Sequence, residues 1–351
     1  MWRKKYYENP RRLALAAIAK ETQTTTPTIA SALPHLDPTK SEKHDLETLP
    51  PLDAAKCPRF SAAKTRVFNQ DTFDAALAMP SSVVGIAPSP DKPTATIATD
   101  ILARLQSTAA ALQHLNPATA PRVAVLNMAS ERNPGGGWLK GSSAQEEALC
   151  FRSTLAASLH RTLYPLQRRT GLYTRDVVVF RVSAGDGHKL MVPETDPAFL
   201  PIVSVLSVAG IRRPEVKPEG EAVDGEGEAS SAHPDSRVPE EKPTHAKGKD
   251  KAKAPKGPFV FANPADRELT KDKMRLCLRM AGTKGHAMLI LGAIGCGAFQ
   301  NPPQEVAECW QVLSEAEFAG GWFREVWFAV YDRRNEGNYE IFKEAFDGKV
   351  M

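Results

Sequence analysis

Two adjacent glutamates that follow a glycine-rich loop are the residues of this sequence best suited to catalysis. Residues 135–137 are all glycine, and eight residues later comes Gln-Glu-Glu at 145–147. Positioned carboxyl groups can donate and accept protons in hydrolysis. Glycines allow positive φ and close approach of a ligand, and the exposed backbone N–H groups of such a loop can bind anionic oxygens. This spacing indicates a candidate site for an anionic substrate.

Each half of this pattern also has a purely structural explanation. Ser142 and Ser143 are good N-cap residues, and Gln145 and Glu146 lie at the third position after them, as in a capping box. Acidic side chains in the first turn of a helix also complement the helix dipole. Taken alone, residues 145–147 favour helix capping, and the three glycines are weak evidence for a site.

The elements around the motif predict where it lies in a fold. The apolar run 123–126 predicts a buried strand, and Asn127 and Asn133 follow it before the glycines. In open α/β sheets, ligands bind beyond the carboxyl ends of strands. We therefore expect both asparagines at the same site.

A second glycine loop follows another apolar run. Residues 287–291 predict a buried strand that leads into the loop 292–299, and Asn301 can cap a helix with Pro302 at its first position. A strand, a glycine loop and a helix N-terminus can bind a diphosphate through backbone N–H groups. The spacing matches neither the dinucleotide fingerprint nor a Walker loop, and a simple connecting turn is the alternative.

The combined motif resembles the signature of the poly(ADP-ribose) glycohydrolases, in particular their bacterial-type branch. The resemblance is carried by Asn-Met-Ala-Ser-Glu-Arg-Asn-Pro-Gly-Gly-Gly at 127–137 with Gln-Glu-Glu at 145–147, and by the loop 292–299, which resembles the diphosphate-binding loop of macrodomains. It covers roughly residues 10–215 and 258–348. It implies an α/β fold of the three-layer α/β/α macrodomain type, with a mixed sheet and an N-terminal helical extension.

The resemblance also implies a role for each residue. Glu147 would be the acid/base catalyst and Glu146 would hold the ribose hydroxyls, while Phe299 would pack against a ribose. No metal and no cofactor are implied. The implied substrate-binding residues are Asn127, Asn133, Gly135, Gly136, Gly137, Gln145, Gly292, Ile294, Gly295, Cys296, Gly297, Ala298 and Phe299.

The implied reaction is hydrolysis of the ribose–ribose O-glycosidic bonds of poly(ADP-ribose) from chain ends, with release of ADP-ribose. It requires protonation of the leaving oxygen and activation of a water at an oxocarbenium-like transition state. The expected partners are poly(ADP-ribose), ADP-ribose and ADP-ribosylated proteins, without sequence-specific nucleic-acid binding. Two alternatives remain: a module that binds ADP-ribose without turnover, and a hydrolase of another ADP-ribose derivative.

Five other side chains invite functional hypotheses. Cys296 could be a nucleophile, but without a recognisable histidine partner a thiol that fills the loop is favoured. Trp138 could contact the ligand or pack in the interior. Glu21 is expected to be structural, Arg152 to form an ion pair or lie at the surface, and His188 to lie in a turn.

Composition places the chain among ordinary globular proteins. Of 351 residues, 42% are hydrophobic and 25% charged, and the net charge of +4 is too mild to identify a partner. The five cysteines are widely spaced without a C-x-x-C pair, so neither a zinc site nor a disulfide framework is indicated. The apolar runs are too short to span a membrane, and we expect an intracellular protein, cytoplasmic or nuclear.

The chain is predicted to form one catalytic domain with an interruption. Residues 1–60 predict a helix at 11–21 and then a weakly ordered arm, and residues 61–348 predict the catalytic domain. The segment 215–257 changes from acidic to lysine-rich and has few apolar side chains, so we expect a disordered insertion. Its lysines, at 247–256, could be a nuclear address or a polyanion tether, although a solvated linker is favoured.

Periodicity predicts the remaining elements of an alternating α/β chain. The predicted helices are 71–79 with Asp71 as N-cap, 99–115, 142–164, 270–281, 302–313 and 339–346, and the predicted strands are 65–68, 123–126, 177–182, 202–208, 287–291 and 325–331.

Overall fold

The computed structural model describes residues 9–62, 64–83, 122–220 and 258–350. Its helices are α1 Pro10–Ala32, α2 Thr72–Val83, α3 Gln145–Arg152, α4 Leu155–Ser158, α5 Pro264–Thr283, α6 Pro303–Cys309 and α7 Asn338–Phe346. Its strands are β1 Glu42–Asp45, β2 Arg66–Phe68, β3 Val123–Met128, β4 Thr170–Val178, β5 Ile202–Val208, β6 Val216–Pro218, β7 Phe259–Phe261, β8 Met288–Leu291 and β9 Glu325–Ala329.

A seven-stranded sheet in the order β1-β4-β5-β3-β8-β9-β2 forms the middle layer. Strands β5, β3, β8, β9 and β2 are parallel neighbours, whereas β4 runs antiparallel to both β1 and β5. Helices cover both faces, so the predicted α/β/α class with a mixed sheet is confirmed. The order places the end of β3 between the ends of β5 and β8.

Alternate residues of β3 face the two helical layers, as the two-residue period of a strand requires. Val125 belongs to a buried cluster with Phe73 of α2 and Phe151 of α3. Leu126 belongs to the opposite cluster, with Met274 of α5. Because both faces are covered, the strand is apolar along its length up to the point where it reaches the site.

Helix α1 is longer than predicted. It was expected at 11–21, yet it continues to Ala32. The buried Thr22 hydroxyl donates to the carbonyl of Phe151 in α3 (2.7 Å), and Ile29 is buried further along the helix. These tertiary contacts outweigh the weak helix propensity of the threonine run. The predicted arm also contains strand β1, which pairs with β4.

The predicted helix 142–164 is interrupted. Helix α3 ends at Arg152, and Ser153 is extended (φ −150°, ψ 178°) and bridges to Val179. The Ser153 hydroxyl donates to Leu149 O (2.8 Å), and Thr154 Oγ1 accepts the N–H of Val178 (3.0 Å). Hydroxyl side chains compete in this way with helical backbone bonds. The apolar pattern alone does not show the interruption.

Most other elements agree with the predictions, with shifted boundaries. The strand predicted at 177–182 is displaced, because β4 covers Thr170–Val178 and includes only Val177 and Val178 of the predicted residues. The helix predicted at 270–281 covers Pro264–Thr283, and the one predicted at 302–313 becomes α6 followed by a 3₁₀ helix, Trp310–Ser314. Strand β6 lies inside the predicted insertion, while 221–257 and the predicted helix 99–115 lie outside the described residues. The structure confirms the elements predicted at 65–68, 71–79, 123–126, 202–208, 287–291, 325–331 and 339–346.

A buried ion pair connects the helix of the Glu pair to its neighbour. The Arg152 side chain at the end of α3 is 1% exposed; its Nη2 donates to Asp74 Oδ1 (2.7 Å), and its Nη1 pairs with Asp71. Asp71 also caps α2 as predicted, because its Oδ1 accepts the N–H of Phe73 (2.8 Å). Arg152 is therefore an ion-pair residue, but in the interior rather than at the surface.

Replacing Arg152 should destabilise the fold strongly. In Arg152→Met the carboxyl groups of Asp71 and Asp74 lose their buried counter-charge, and we expect the free energy of unfolding in urea to fall by about 3–5 kcal/mol. Arg334→Met is the control, since that arginine lies at the surface, 3.9 Å from Glu336, and should change stability by less than about 0.5 kcal/mol. Equal stabilities of the two variants would contradict this assignment.

Candidate active site

The candidate site lies beyond the carboxyl ends of the central strands. The loop after β3 carries the three glycines and leads into α3, and the loop after β8 is residues 292–299. Gly210, just after β5, is packed against Gly295, because a Cβ on Gly210 would lie 3.0 Å from the Gly295 Cα. The two predicted glycine loops extend from β3 and β8, which are neighbours in the sheet.

The first turn of α3 does not form the predicted capping boxes. Its N-cap is Ala144, without a side-chain cap hydrogen bond. The hydroxyl of Ser142 instead accepts a hydrogen bond from Arg12 Nη2 (3.0 Å). Gln145 and Glu146 are turned away from the positions a capping box requires, so the capping interpretation is wrong.

The three polar side chains instead bind backbone groups at the end of β3 and in the loop that follows it. Gln145 Oε1 accepts the N–H of Met128 (2.9 Å), and its Nε2 donates to Leu126 O (2.7 Å). Glu146 Oε2 accepts the N–H of Ser130 (2.7 Å). Glu147 Oε1 accepts the N–H of Gly137 (2.8 Å). Loop and carboxylates are thus fixed relative to each other.

The glycines are required by this close approach. Gly135 and Gly136 have φ of +67° and +60°, which other residues adopt at a cost. A Cβ on Gly136 would lie 2.5 Å from Glu147 Oε1 and 3.1 Å from Glu146 Oε2. The backbone of Gly136 therefore occupies space directly against both carboxyl groups.

The environment of Glu146 favours the protonated acid. Its side chain is 3% exposed, and burial raises its pKa to about 8, with a smaller contribution in the same direction from the charge of Glu147. Hydrogen bonds from the Ser130 N–H and the Asn127 side chain lower this pKa, but by less than burial raises it. At neutral pH, Glu146 is therefore mostly uncharged.

Glu146→Gln should change how stability depends on pH. The folded chain binds the Glu146 proton more tightly than the unfolded chain, whose pKa is near 4.5. This contribution to stability is complete below the unfolded value and is lost as pH rises through about 8. We expect similar unfolding temperatures for variant and wild type at pH 4.5, and a variant several degrees more stable at pH 9. The exposed control Glu194→Gln should show no such divergence, and parallel curves for Glu146→Gln would refute the assigned pKa.

The two predicted asparagines have different positions. Asn127 is fully buried, and its Nδ2 donates to Ser207 Oγ on β5 (3.0 Å). Asn133 is exposed in the glycine loop, where its carbonyl accepts the N–H of Gly136 (2.9 Å). Asn127 therefore stabilises Glu146 from the interior of the protein. Of the two asparagines, only Asn133 is exposed at the edge of the site.

The loop after β8 is organised by Asn301, which sequence reasoning placed as a helix cap. The N-cap of α6 is Pro302, and the buried Asn301 Nδ2 donates to Ile211 O (2.6 Å) and Gly295 O (3.1 Å). Gly295 has φ of +77°, and a Cβ there would lie 2.6 Å from Asn301 Nδ2. The cap prediction is wrong, and Asn301 instead ties this loop to the segment after β5.

The predicted binding residues of this loop divide into a buried and an open part. Gly292, Ile294, Gly295 and Cys296 are buried, whereas the end of the loop faces outward. Burial raises the pKa of the Cys296 thiol, which therefore stays protonated and resembles a space-filling thiol more than a nucleophile. The open part consists of Gly297, Ala298 and the partly exposed Phe299.

The structure also places the other side chains for which the sequence suggested a role. Trp138 is buried and packs edge-on against Phe151, with ring centroids 6.2 Å apart. Glu21 Oε2 lies 2.8 Å from Nη2 of the buried Arg181, which supports a structural role. His188 has φ of +53° in its turn, and burial lowers its pKa to about 4.

Sequence reasoning did not identify Tyr164. Its hydroxyl is buried, and its pKa is raised by burial first and then by the charges of Glu146 and Cys150. Tyr164 follows the interrupted helix, and the nearby Leu166 N–H donates to Glu131 O (2.8 Å) in the loop between β3 and α3. Because the interruption brings it near the site, no local signal in the sequence could have found it.

Within 9–62, 64–83, 122–220 and 258–350, no three His, Cys, Asp or Glu side chains are grouped as a metal site would need. Over the same part of the chain, no helix has the length and apolarity to span a membrane.

A three-layer macrodomain-like fold with paired glycine loops and a buried glutamate pair defines the class of this protein. The family described as "Microbial-type PARG, catalytic domain" matches residues 5–182, which is 178 of 351 residues. The chain therefore belongs to this family, whose enzymes are glycosidases, the poly(ADP-ribose) glycohydrolases.

Solved structures show the same fold. Poly(ADP-ribose) glycohydrolase from Thermomonospora curvata has 23% identity and a TM-score of 0.57, over 95% of this chain and 99% of that chain. The same enzyme bound to the inhibitor ADP-HPD has 22% identity and a TM-score of 0.56, over 95% and 99%. The Deinococcus radiodurans enzyme in complex with ADP-ribose has 22% identity and a TM-score of 0.54, over 91% of this chain and 96% of that chain. No curated protein sequence matches the chain.

Proposed function

We propose that this chain hydrolyses the ribose–ribose O-glycosidic bond at the ends of poly(ADP-ribose), with Glu147 as the acid/base catalyst. The position of the Glu147 carboxylate carries the proposal. It lies in the first turn of α3, beyond the end of central strand β3, and its Oε1 is 2.8 Å from the Gly137 N–H. Glu147 is only 7% exposed, so it acts in a largely dehydrated environment.

One carboxyl group can perform both proton transfers in succession. Glu147 protonates the leaving ribose oxygen as the glycosidic bond breaks, and as a carboxylate it then takes a proton from the attacking water. The transition state carries oxocarbenium character on the ribose whose anomeric carbon is attacked by the water, while the other ribose leaves with the protonated oxygen. Glu146, mostly uncharged at neutral pH, can both donate and accept hydrogen bonds and holds the ribose hydroxyls.

Substrate binding uses both glycine loops. The backbone at Gly297 and Ala298 is exposed in the loop after β8 and binds the diphosphate, as backbone amides of such loops do. Phe299 packs against the adjacent ribose, and Asn133 contacts the scissile ribose from the edge. The buried members Asn127, Ile294 and Cys296 shape these loops rather than touch the ligand.

We also propose how the chain is organised into domains. The catalytic domain spans 61–348, with 215–257 as an insertion within it. Strand β6, at the start of this segment, pairs with β7, just after its end, which supports one domain rather than two. The expected targets are ADP-ribosylated proteins, and the free thiols of the described chain are usual for an intracellular compartment.

The activity is tested with two substrates. Purified protein is incubated with labelled poly(ADP-ribose) and, separately, with a mono-ADP-ribosylated protein, and products are separated by thin-layer chromatography. We expect free ADP-ribose from the polymer and little from the mono-modified protein. Turnover of the second substrate alone would indicate a hydrolase of another derivative, and binding without turnover of either would indicate a reader module.

A further inference from the structure

We propose that Arg12, in the first turn of α1, is a positioning residue that holds the catalytic loop in place for Glu147. This inference rests on the proposed role of Glu147. It concerns a residue that lies 130 positions before its partner Ser142 in sequence, on a helix outside the loop itself.

The guanidinium of Arg12 makes two hydrogen bonds to the segment between the glycines and α3. Its Nη2 donates to Ser142 Oγ (3.0 Å), and its Nε donates to Lys140 O (3.3 Å). The backbones also touch, because a Cβ on Gly141, whose φ is +70°, would overlap the carbonyl oxygen of Arg12. The first turn of α1 thus contacts three consecutive residues of the loop.

These contacts continue to the catalytic carboxylate. The Ser142 N–H donates to Gly137 O (3.1 Å), and a Cβ on Gly137 would overlap the Ser142 hydroxyl. The Gly137 N–H donates to Glu147 Oε1 (2.8 Å). The peptide that holds Glu147 is therefore packed against the serine that Arg12 holds.

The position of Arg12 at the start of α1 is electrostatically unfavourable unless its side chain has a specific partner. The first turn of α1 contains no acidic residue, and Arg11 and Arg12 place two positive charges at its N-terminus. Positive charge at this end of a helix opposes the helix dipole. The carbonyl of Lys140, which ends the 3₁₀ turn Trp138–Lys140, provides a compensating acceptor for Arg12.

Arg12→Ala should lower kcat with little change in KM. Small displacements of catalytic groups can cost up to about 100-fold, and we expect a loss of kcat on polymer of roughly 10- to 100-fold, with KM and ADP-ribose affinity within about 2-fold. The hydrogen bonds of Arg12 to Lys140 and Ser142 lie on the loop between β3 and α3, whereas the diphosphate is proposed to bind the loop after β8. Arg12→Lys should recover little, because an ammonium group cannot reproduce the planar fork of donors.

Three controls separate positioning from general stability. Arg11→Ala removes an exposed charge from the same turn and should keep wild-type kcat. Methylguanidinium added to Arg12→Ala should restore part of kcat, but should not rescue Glu147→Ala. Ser142→Ala should lower kcat less than additively when combined with Arg12→Ala, because both remove the same hydrogen bond.

Several results would overturn the inference. They are a kcat of Arg12→Ala within about 2-fold of wild type, strictly additive losses with Ser142→Ala, or a loss that parallels a fall in unfolding temperature and is not rescued by methylguanidinium. The proposed function has a separate test. If Glu147→Ala still releases ADP-ribose, that function fails, whereas a normal Arg12→Ala beside an inactive Glu147→Ala refutes only the role of Arg12.

Discussion

Glu147→Ala is expected to lower kcat for release of ADP-ribose from the polymer by about 10³-fold or more, while ADP-ribose still binds. General acid/base catalysis contributes roughly 10²- to 10⁴-fold, and here one carboxyl group serves both proton transfers. Binding should persist because the loop after β8, to which we assign the diphosphate, follows a different strand from the loop that leads into α3. Release is measured with labelled polymer, and affinity by calorimetry with ADP-ribose.

Glu147→Gln distinguishes chemistry from packing in this experiment. The amide oxygen can still accept the hydrogen bond from the Gly137 N–H, so the loop keeps its support, but the side chain cannot transfer a proton. We expect the Gln variant to be as inactive as the Ala variant and more stable. A Gln variant with near-normal kcat would show that Glu147 only supports the loop.

Gly136→Ala is expected to cause the second-largest loss, with kcat reduced by about 100-fold. The added methyl group would lie 2.5 Å from Glu147 Oε1 at a residue with φ of +60°. The loop or the carboxylates must therefore move, and the geometry of proton transfer is lost. The measurement is kcat on polymer together with the unfolding temperature.

Gly187→Ala is the matched control for backbone strain. Gly187 has a comparable φ of +78°, but a Cβ there would meet nothing within 4 Å. Both variants should lose a similar amount of stability, of order 1 kcal/mol, from the left-handed conformation. Only Gly136→Ala should lose activity, and equal activities of the two variants would refute the required close approach.

Much of the site could be predicted from sequence because its signals are local. The apolar run before Asn127, the glycines and the Glu pair lie within 25 residues (123–147), and the second loop has the same strand–glycine–helix arrangement. Parallel strands bring such loops to one edge of a sheet. The expected fold class is therefore confirmed, whereas the neighbouring positions of β3 and β8 are known only from the structure.

The orientation of the Glu pair could not be predicted in the same way. A first-turn glutamate has the same sequence pattern whether it caps its own helix or turns toward another loop. Burial against the Ser130 and Gly137 N–H groups decides between them, and these depend on the glycine conformations. The pKa of Glu146 follows from that burial and is equally invisible in the sequence.

The sequence by itself determined the alternating α/β pattern, the two glycine loops and the identity of the catalytic candidates, since these depend on periodicity and backbone freedom within short segments. Only the tertiary structure decided that α1 extends to Ala32, that α3 ends at Arg152, that Asn301 ties its loop to the segment after β5, and that Arg12 holds Ser142. Each of these depends on hydrogen bonds or packing between segments far apart in the chain. Such contacts override local propensity and leave no local pattern.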